Sequence, residues 1–259
     1  MADYIKSKVE EGVNLLTIDN PPVNVLSPDV IRALDSALDQ AIQDDATKVI
    51  VITGAGANAF VAGADVKVIA NIKSASEAEE LALQGQGVFN KIENSDKPVI
   101  AAINGVCLGG GNELILACHM RIASDRARFG QPEINLGIIP GFGGTQRLMR
   151  LCGKALATEL VLTGDVLSAQ EALRIGLVNK VILEDQMLRQ AVHLGKKIAT
   201  KGQIAVKLCL EAFRAGSDTK LSDALKLEAS LFGKSVATED RVEGVAAFLE
   251  KRQPKFKNK

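Results

Sequence analysis

With 259 residues the chain can bury one large core or split once into two. Hydrophobic residues make up 47% and charged residues 24%, an ordinary globular mix that argues against disorder. Lys plus Arg and Asp plus Glu both total 31, so no overall field draws the chain to polyanions or an anionic membrane, and any anion site must be local.

The first residues, MADYIKSKVEEG, lack the apolar stretch of a secretory signal, and no apolar run reaches the roughly 18–20 residues that cross a bilayer. An intracellular, cytoplasmic protein is the resulting expectation. Val13 to Ile18 reads as a strand stopped by Asn20, Pro21 and Pro22. A helix follows: Ser27 can cap it, Pro28 suits its first position, and Val30, Ile31, Leu34, Leu38, Ala41 and Ile42 recur at three-to-four spacing. Lys48 to Thr53 (KVIVIT) and Pro98 to Ile103 are continuous apolar runs, the mark of strands buried on both faces.

Beyond these come a helical stretch from Asn112 to Cys118, an extended piece at Arg121 to Ala123 and a strand at Leu177 to Leu183. Strands alternating with helices predict an α/β core. After about Leu188 amphipathic helical patterns take over. The last is capped by Thr238, with Glu239 and Asp240 in its first turn, a stripe of Val242, Val245, Ala246 and Leu249, and Lys251 and Arg252 at its end. A catalytic core over residues 1–200 and a helical region over 201–259 is the predicted division. The helical region either folds back on the core or packs on another subunit, and periodicity leaves both open.

Several chemistries are disfavoured. Cys107, Cys118, Cys152 and Cys209 form no C-x-x-C pair, so reduced, buried thiols are expected rather than zinc or a redox dithiol. His119 and His193 have no metal-spaced partner and no nucleophile elbow beside them. Gly54, Gly56 and Ala59 imitate a dinucleotide fingerprint, but Phe60 to Asp65 contain no cap followed by an apolar helical stripe, so a loop is predicted there.

Two glycine-marked segments carry the interesting acids. Gly105 to Gly111 joins the PVIAAIN strand to the apolar LILAC helix, with Glu113 at that helix's start. Glycines let a ligand approach the backbone, and the first N–H groups of a helix are unpaired donors at its positive end, so the turn can hold a negative oxygen; a tightly packed turn without a ligand is the plain alternative. A helix apolar all round is buried, which places Glu113 at the edge of a cavity rather than in solvent. Glu133 lies in a second segment, Phe129 to Thr145, too apolar for a solvated loop, although a Glu after Pro can also simply start an exposed turn. Two such acids sharing a water supply an acid and a base, because a like charge keeps one protonated. A glycosidase would use similar acids, but the chain has no Trp and a single Tyr to stack on sugars.

Four segments together resemble the enoyl-CoA hydratase/isomerase (crotonase) superfamily, specifically its short standalone hydratases. These are Ala59 to Lys67, Lys97 to Gly105, Leu108 to Leu114, and Phe129 to Glu133 continuing through Pro140 to Arg147. The resemblance implies a spiral of repeated ββα units, a helical C-terminal region that builds trimers paired into hexamers, and a CoA thioester substrate with no separate cofactor or metal. It also implies an oxyanion hole of the Ala64 and Gly110 N–H groups, CoA contacts at Ala62, Asp65, Val66 and Lys67, and catalytic roles for Glu113 and Glu133. Because both acids are present, it implies reversible hydration of a 2-enoyl thioester, with Glu113 handling the water and Glu133 delivering a proton to C2. Double-bond isomerisation is the rival reaction on this scaffold. RNA binding, known in the superfamily through a Lys-rich helix, is opposed here by Asp29, Asp35, Asp39, Asp44 and Asp45 around the first helix. The chain departs from the usual pattern at Pro21 to Leu26, a segment that borders the CoA pocket in relatives.

Overall fold

The computed structural model describes residues 4–217 and 219–259; residues 1–3, where the polar N-terminal stretch begins, lie outside it. The chain opens with strands β1 (Ile5–Glu10) and β2 (Val13–Ile18), then helix α1 (Pro28–Gln43). Ser27 caps α1 by accepting from the Val30 N–H at 3.3 Å, and Val30, Ile31, Leu34, Leu38 and Ala41 are buried along its inner face. Strand β1 escaped the sequence reading because only Ile5 is buried in it and its outward positions carry no apolar signal.

A two-strand-plus-helix unit then repeats. Strands β3 (Val49–Gly54) and β4 (Ala59–Val61) lead to helices α2 (Val66–Ala70) and α3 (Ala75–Glu93). Strands β5 (Val99–Ile103) and β6 (Val106–Leu108) lead to α4 (Gly110–Ala117), and β7 (Met120–Ser124) and β8 (Arg128–Gly130) lead to a 3-10 turn (Pro132–Leu136) and α5 (Gly144–Cys152). In each unit the first strand joins a six-stranded sheet of order β1-β2-β3-β5-β7-β10 and the second joins a four-stranded sheet of order β4-β6-β8-β9. This is the repeated ββα arrangement that the resemblance implied. The remaining elements are α6 (Lys154–Thr163), β9 (Val166–Ser168), α7 (Ala169–Arg174), β10 (Lys180–Ile182) and α8 (Glu184–Ala199), followed by α9 (Gln203–Gly216), α10 (Leu221–Val236) and α11 (Glu239–Leu249).

The large sheet is parallel from β2 to β10, with β1 antiparallel at its edge. Both faces of its central strands are covered, which is why β3 and β5 read as unbroken apolar runs. On one face Val49, Val51, Ile100 and Ile122 pack with Met187 and Ala191 of α8. On the other, Ile50, Ile52, Val99 and Ile103 join the larger core under α1, α3 and α4.

The predicted loop after Gly54 does contain no helix, but Ala59–Val61 forms a short buried strand. The strand expected at Leu177–Leu183 is confined to Lys180–Ile182, with Leu177 and Val178 buried just before it. Not all thiols are buried: Cys107 and Cys118 are, Cys152 is half-buried and Cys209 is exposed. The predicted boundary at residue 200 falls between α8 and α9. Thr238 caps α11 as its sequence suggested, yet the stripe of Val242, Val245 and Leu249 faces outward. Among the described residues no helix is long and apolar enough to cross a membrane, and no His, Cys, Asp and Glu group could hold a metal ion.

Candidate active site

Helix α4 is the centre of the site. All eight of its residues are buried, so the sequence's apolar helix is indeed enclosed, and Glu113 is carried inside with an exposure of 2%. The helix begins at the end of β6 through Gly109, whose φ of +50° is one that side chains rarely adopt. Gly110 is the first helical residue, and its N–H, like that of any first-turn residue, has no acceptor within the helix. A β-carbon at Gly110 would lie 3.5 Å from the Ala64 nitrogen and 3.3 Å from Cδ1 of Leu26. Main chain from two different repeats therefore approaches closely here, and glycine is what allows it.

Ala64 is set by the segment Pro21 to Leu26. Leu26 donates its N–H to Gly63 O at 2.8 Å and accepts from the Asp65 N–H at 3.2 Å, a one-residue parallel bridge in which the Ala64 N–H takes no part. Buried Asn24 anchors this segment by donating to Ala55 O and Ala59 O, each at 3.0 Å. The departure from the usual sequence at 21–26 thus leaves the support of Ala64 intact. Asp65 caps α2 through the Lys67 N–H at 2.9 Å.

The Glu113 carboxylate is held on one side only. Its Oε1 accepts from the N–H groups of Phe142 at 2.7 Å and Gly144 at 2.8 Å, 29 and 31 residues away in sequence. Burial pushes its carboxyl from the ordinary 4.5 to about 7, the charge of Glu133 adding to the rise while the two N–H bonds and Arg147 oppose it. The like-charge effect expected from sequence is present, but desolvation is the larger cause.

Glu133 sits in the first turn of the 3-10 segment, half-buried, and burial raises its carboxyl as well. Its Oε1 lies against Gly109, where a β-carbon would come within 2.9 Å of it. With its amide nitrogen turned toward this carboxylate, buried Gln131 donates to Oε1 and Oε2 at 3.0 and 3.2 Å.

A single cavity of about 770 Å³ is lined by Ala62, Ala64, Asp65, Val66, Gly110, Glu113 and Glu133, together with apolar side chains including Ile69, Ile72, Ala82 and Phe142. Lys67, also assigned to substrate, does not line it; its side chain is exposed on α2 outside the cavity wall. The sequence reading gave no role to Phe142, Gly144 or Gln131, although the Pro140 to Gly144 glycine turn was itself a sign of backbone N–H groups available to an anion. Chemically the cavity offers two N–H donors side by side for a developing oxyanion, and two protonatable carboxyl groups of raised affinity for protons, in apolar walls.

The chain matches the sequence model of the enoyl-CoA hydratase/isomerase family over residues 8–259. It belongs to that family. It is 47% identical over 251 residues to a crotonyl-CoA hydratase of Syntrophomonas wolfei, covering 96% of both chains. It is 42% identical over 252 residues to a short-chain-enoyl-CoA hydratase of Clostridium acetobutylicum, again covering 96% of both. The crystal structure of an enoyl-CoA hydratase from Bacillus anthracis superposes with a TM-score of 0.95 at 39% identity, over 99% of this chain and 100% of that one. The fold and family expected from the four motifs are therefore those of the protein.

Proposed function

We propose that this chain reversibly hydrates trans-2-enoyl-CoA thioesters to 3-hydroxyacyl-CoA. The observation that carries this reading is the convergence of two carboxyl groups and two unengaged main-chain N–H groups on one apolar cavity. The Ala64 and Gly110 N–H groups would take the thioester oxygen, drawing electrons from the double bond so that C3 becomes electrophilic. In its charged form, which dominates only above about pH 7, Glu113 is held through Oε1 and leaves Oε2 to accept the proton of the attacking water. The water oxygen bonds to C3, the electron pair of the double bond moves toward the thioester oxygen as an enolate, and the proton of Glu133 passes to C2. Solvent exchange then restores a charged Glu113 and a protonated Glu133. Asp65, Val66 and Ala62 border the cavity where the CoA arm would lie, with Lys67 exposed nearby to meet its phosphates.

The relatives' activities on crotonyl-CoA and short-chain enoyl-CoA support the same substrate class. The test is the conjugated-enoyl absorbance of crotonyl-CoA, which falls on adding enzyme. Unchanged absorbance together with conversion of a 3-enoyl to a 2-enoyl thioester would instead make the chain an isomerase.

We further propose a cytoplasmic homotrimer or dimer of trimers. Helices α9–α11 support this, since Phe213, Phe232 and Phe248 are 75%, 69% and 82% exposed and no residue of α9 is buried within the single chain. Light scattering of the eluted protein decides the assembly, and a monomeric mass refutes it.

A further inference from the structure

The loop that holds Glu113 is itself held from behind. Between Gly141 and Gly144 two N–H groups point inward to the carboxylate, and two carbonyls point the other way. Gly141 O accepts from Gln86 Nε2 at 2.8 Å, and Phe142 O accepts from Arg147 Nη1 at 3.0 Å. The guanidinium passes directly beneath Gly143, where even a β-carbon would collide with Nη1. Arg147 is fixed in turn on α3: Nε and Nη2 bond Glu93 Oε2 at 3.0 and 2.8 Å, and Nη2 also donates to Asn90 Oδ1. Gln86, Asn90 and Glu93 are spaced i, i+4 and i+7, which places them on one face of that helix. The side chain of Arg147 is 11% exposed and that of Glu93 49%, so the guanidinium is covered while its carboxylate partner faces solvent.

We infer that Arg147, assisted by Gln86, is a positioning residue: it pins the outward carbonyls of the 141–144 loop to α3, keeping two N–H groups on Glu113 and a positive charge behind them. This rests on the hydratase reading of the site. The geometry acts in two ways. A loop free to rotate its peptides would take the N–H donors off Oε1, and a carboxylate that loses donors and a nearby cation keeps its proton to higher pH. The charged groups around Glu113 are Glu133 from the 3-10 turn, Asp65 and Glu79 along the cavity, and Arg147 behind the loop. Those around Arg147 are its partner Glu93, with Arg121, Arg150, Arg214 and His119 lining the cleft on the outer side.

The test compares Arg147→Met, Arg147→Lys and Gln86→Leu by pH profiles of crotonyl-CoA hydration and by carbon-13 NMR titration of the Glu113 carboxyl, assigned by its loss in Glu113→Gln. In Arg147→Met the acid limb of kcat/KM and the Glu113 titration both move to higher pH by roughly half a unit or more, and kcat falls about tenfold with KM within about threefold. Arg147→Lys returns the limb most of the way but not the full kcat, because an ammonium supplies charge without the fork. Gln86→Leu lowers kcat several-fold and leaves the limb nearer its original position. Should Arg147→Met fail to fold, the Lys and Leu variants decide, and wild-type kcat in both overturns the proposal. An unmoved Glu113 titration in folded Arg147→Met overturns it equally. A wild-type chain without hydration overturns the functional reading instead, and the NMR titration, which needs no turnover, then judges Arg147 alone.

Discussion

Glu113→Gln separates the chemistry of this carboxyl from its structural cost. The replacement amide keeps an oxygen where Oε1 accepts from Phe142 and Gly144, so both N–H groups stay satisfied and the loop has no reason to move. What is lost is the proposed base, and hydration of crotonyl-CoA should fall roughly 10²–10⁴-fold. Stability should change in the opposite direction, with a definite pH dependence. The folded protein binds the Glu113 proton more tightly than the unfolded chain, since burial carries the carboxyl from 4.5 to about 7. Native stability is therefore undiminished below pH 4.5, declines as pH rises between 4.5 and 7, and is lower by up to about 3 kcal/mol above that, at about 1.4 kcal/mol per pH unit. Gln carries no charge to bury, so the variant should exceed the wild type by up to about 3 kcal/mol at pH 8 and match it near pH 4.5. Urea unfolding of both proteins at one fixed concentration across this range measures the difference. Equal stability of the two at every pH would show that the carboxyl titrates near its ordinary value in the fold, and the account of its poise near neutrality would fall with it.

Gly110→Ala introduces a methyl 3.5 Å from the Ala64 nitrogen, in the space proposed for the thioester oxygen, and kcat should drop about 10²–10³-fold with little change in melting temperature. Phe142 seats its ring on Gly85, where a β-carbon would come within 2.5 Å of it, and packs edge-on to Phe89 at 5.6 Å. Phe142→Ala should therefore enlarge the cavity and, if the acyl chain lies along this wall, raise kcat/KM for eight-carbon relative to four-carbon enoyl-CoA by about tenfold or more, at a stability cost of about 2–4 kcal/mol; an unchanged chain-length profile would place the acyl group elsewhere. Arg121 is buried with no carboxylate partner among the described residues, donating to Leu177 O at 2.7 Å, Cys118 O at 2.6 Å and Ile115 O at 3.3 Å, and so closes the C-terminal end of α4. Arg121→Met should cost about 2–5 kcal/mol in urea unfolding by leaving these carbonyls bare, and a loss under about 1 kcal/mol would show that water replaces it.

The local elements were legible because their causes are local. The cap and stripe of α1, the unbroken apolar runs of β3 and β5, and the enclosed helix α4 each follow from residues within a few positions of one another. Strand β1, with only Ile5 buried, and the three-residue strands β4, β6, β8 and β9 were not, since so few patterned side chains cannot distinguish a strand from a loop. Glu113 and Glu133 could be singled out as acids on glycine-marked, apolar segments, and the motifs around them were enough to place the chain in its family. What they do to one another is a tertiary matter. The N–H donors of Glu113 come from about 30 residues downstream, Ala64 meets Gly110 only where two repeats pack, and Arg147 reaches α3 across the same fold. Proton affinity is set by burial and by neighbours in space, neither of which is a property of sequence position. The outward stripe of α11 shows the same limit, because periodicity fixes which residues share a face, and only packing fixes what that face meets.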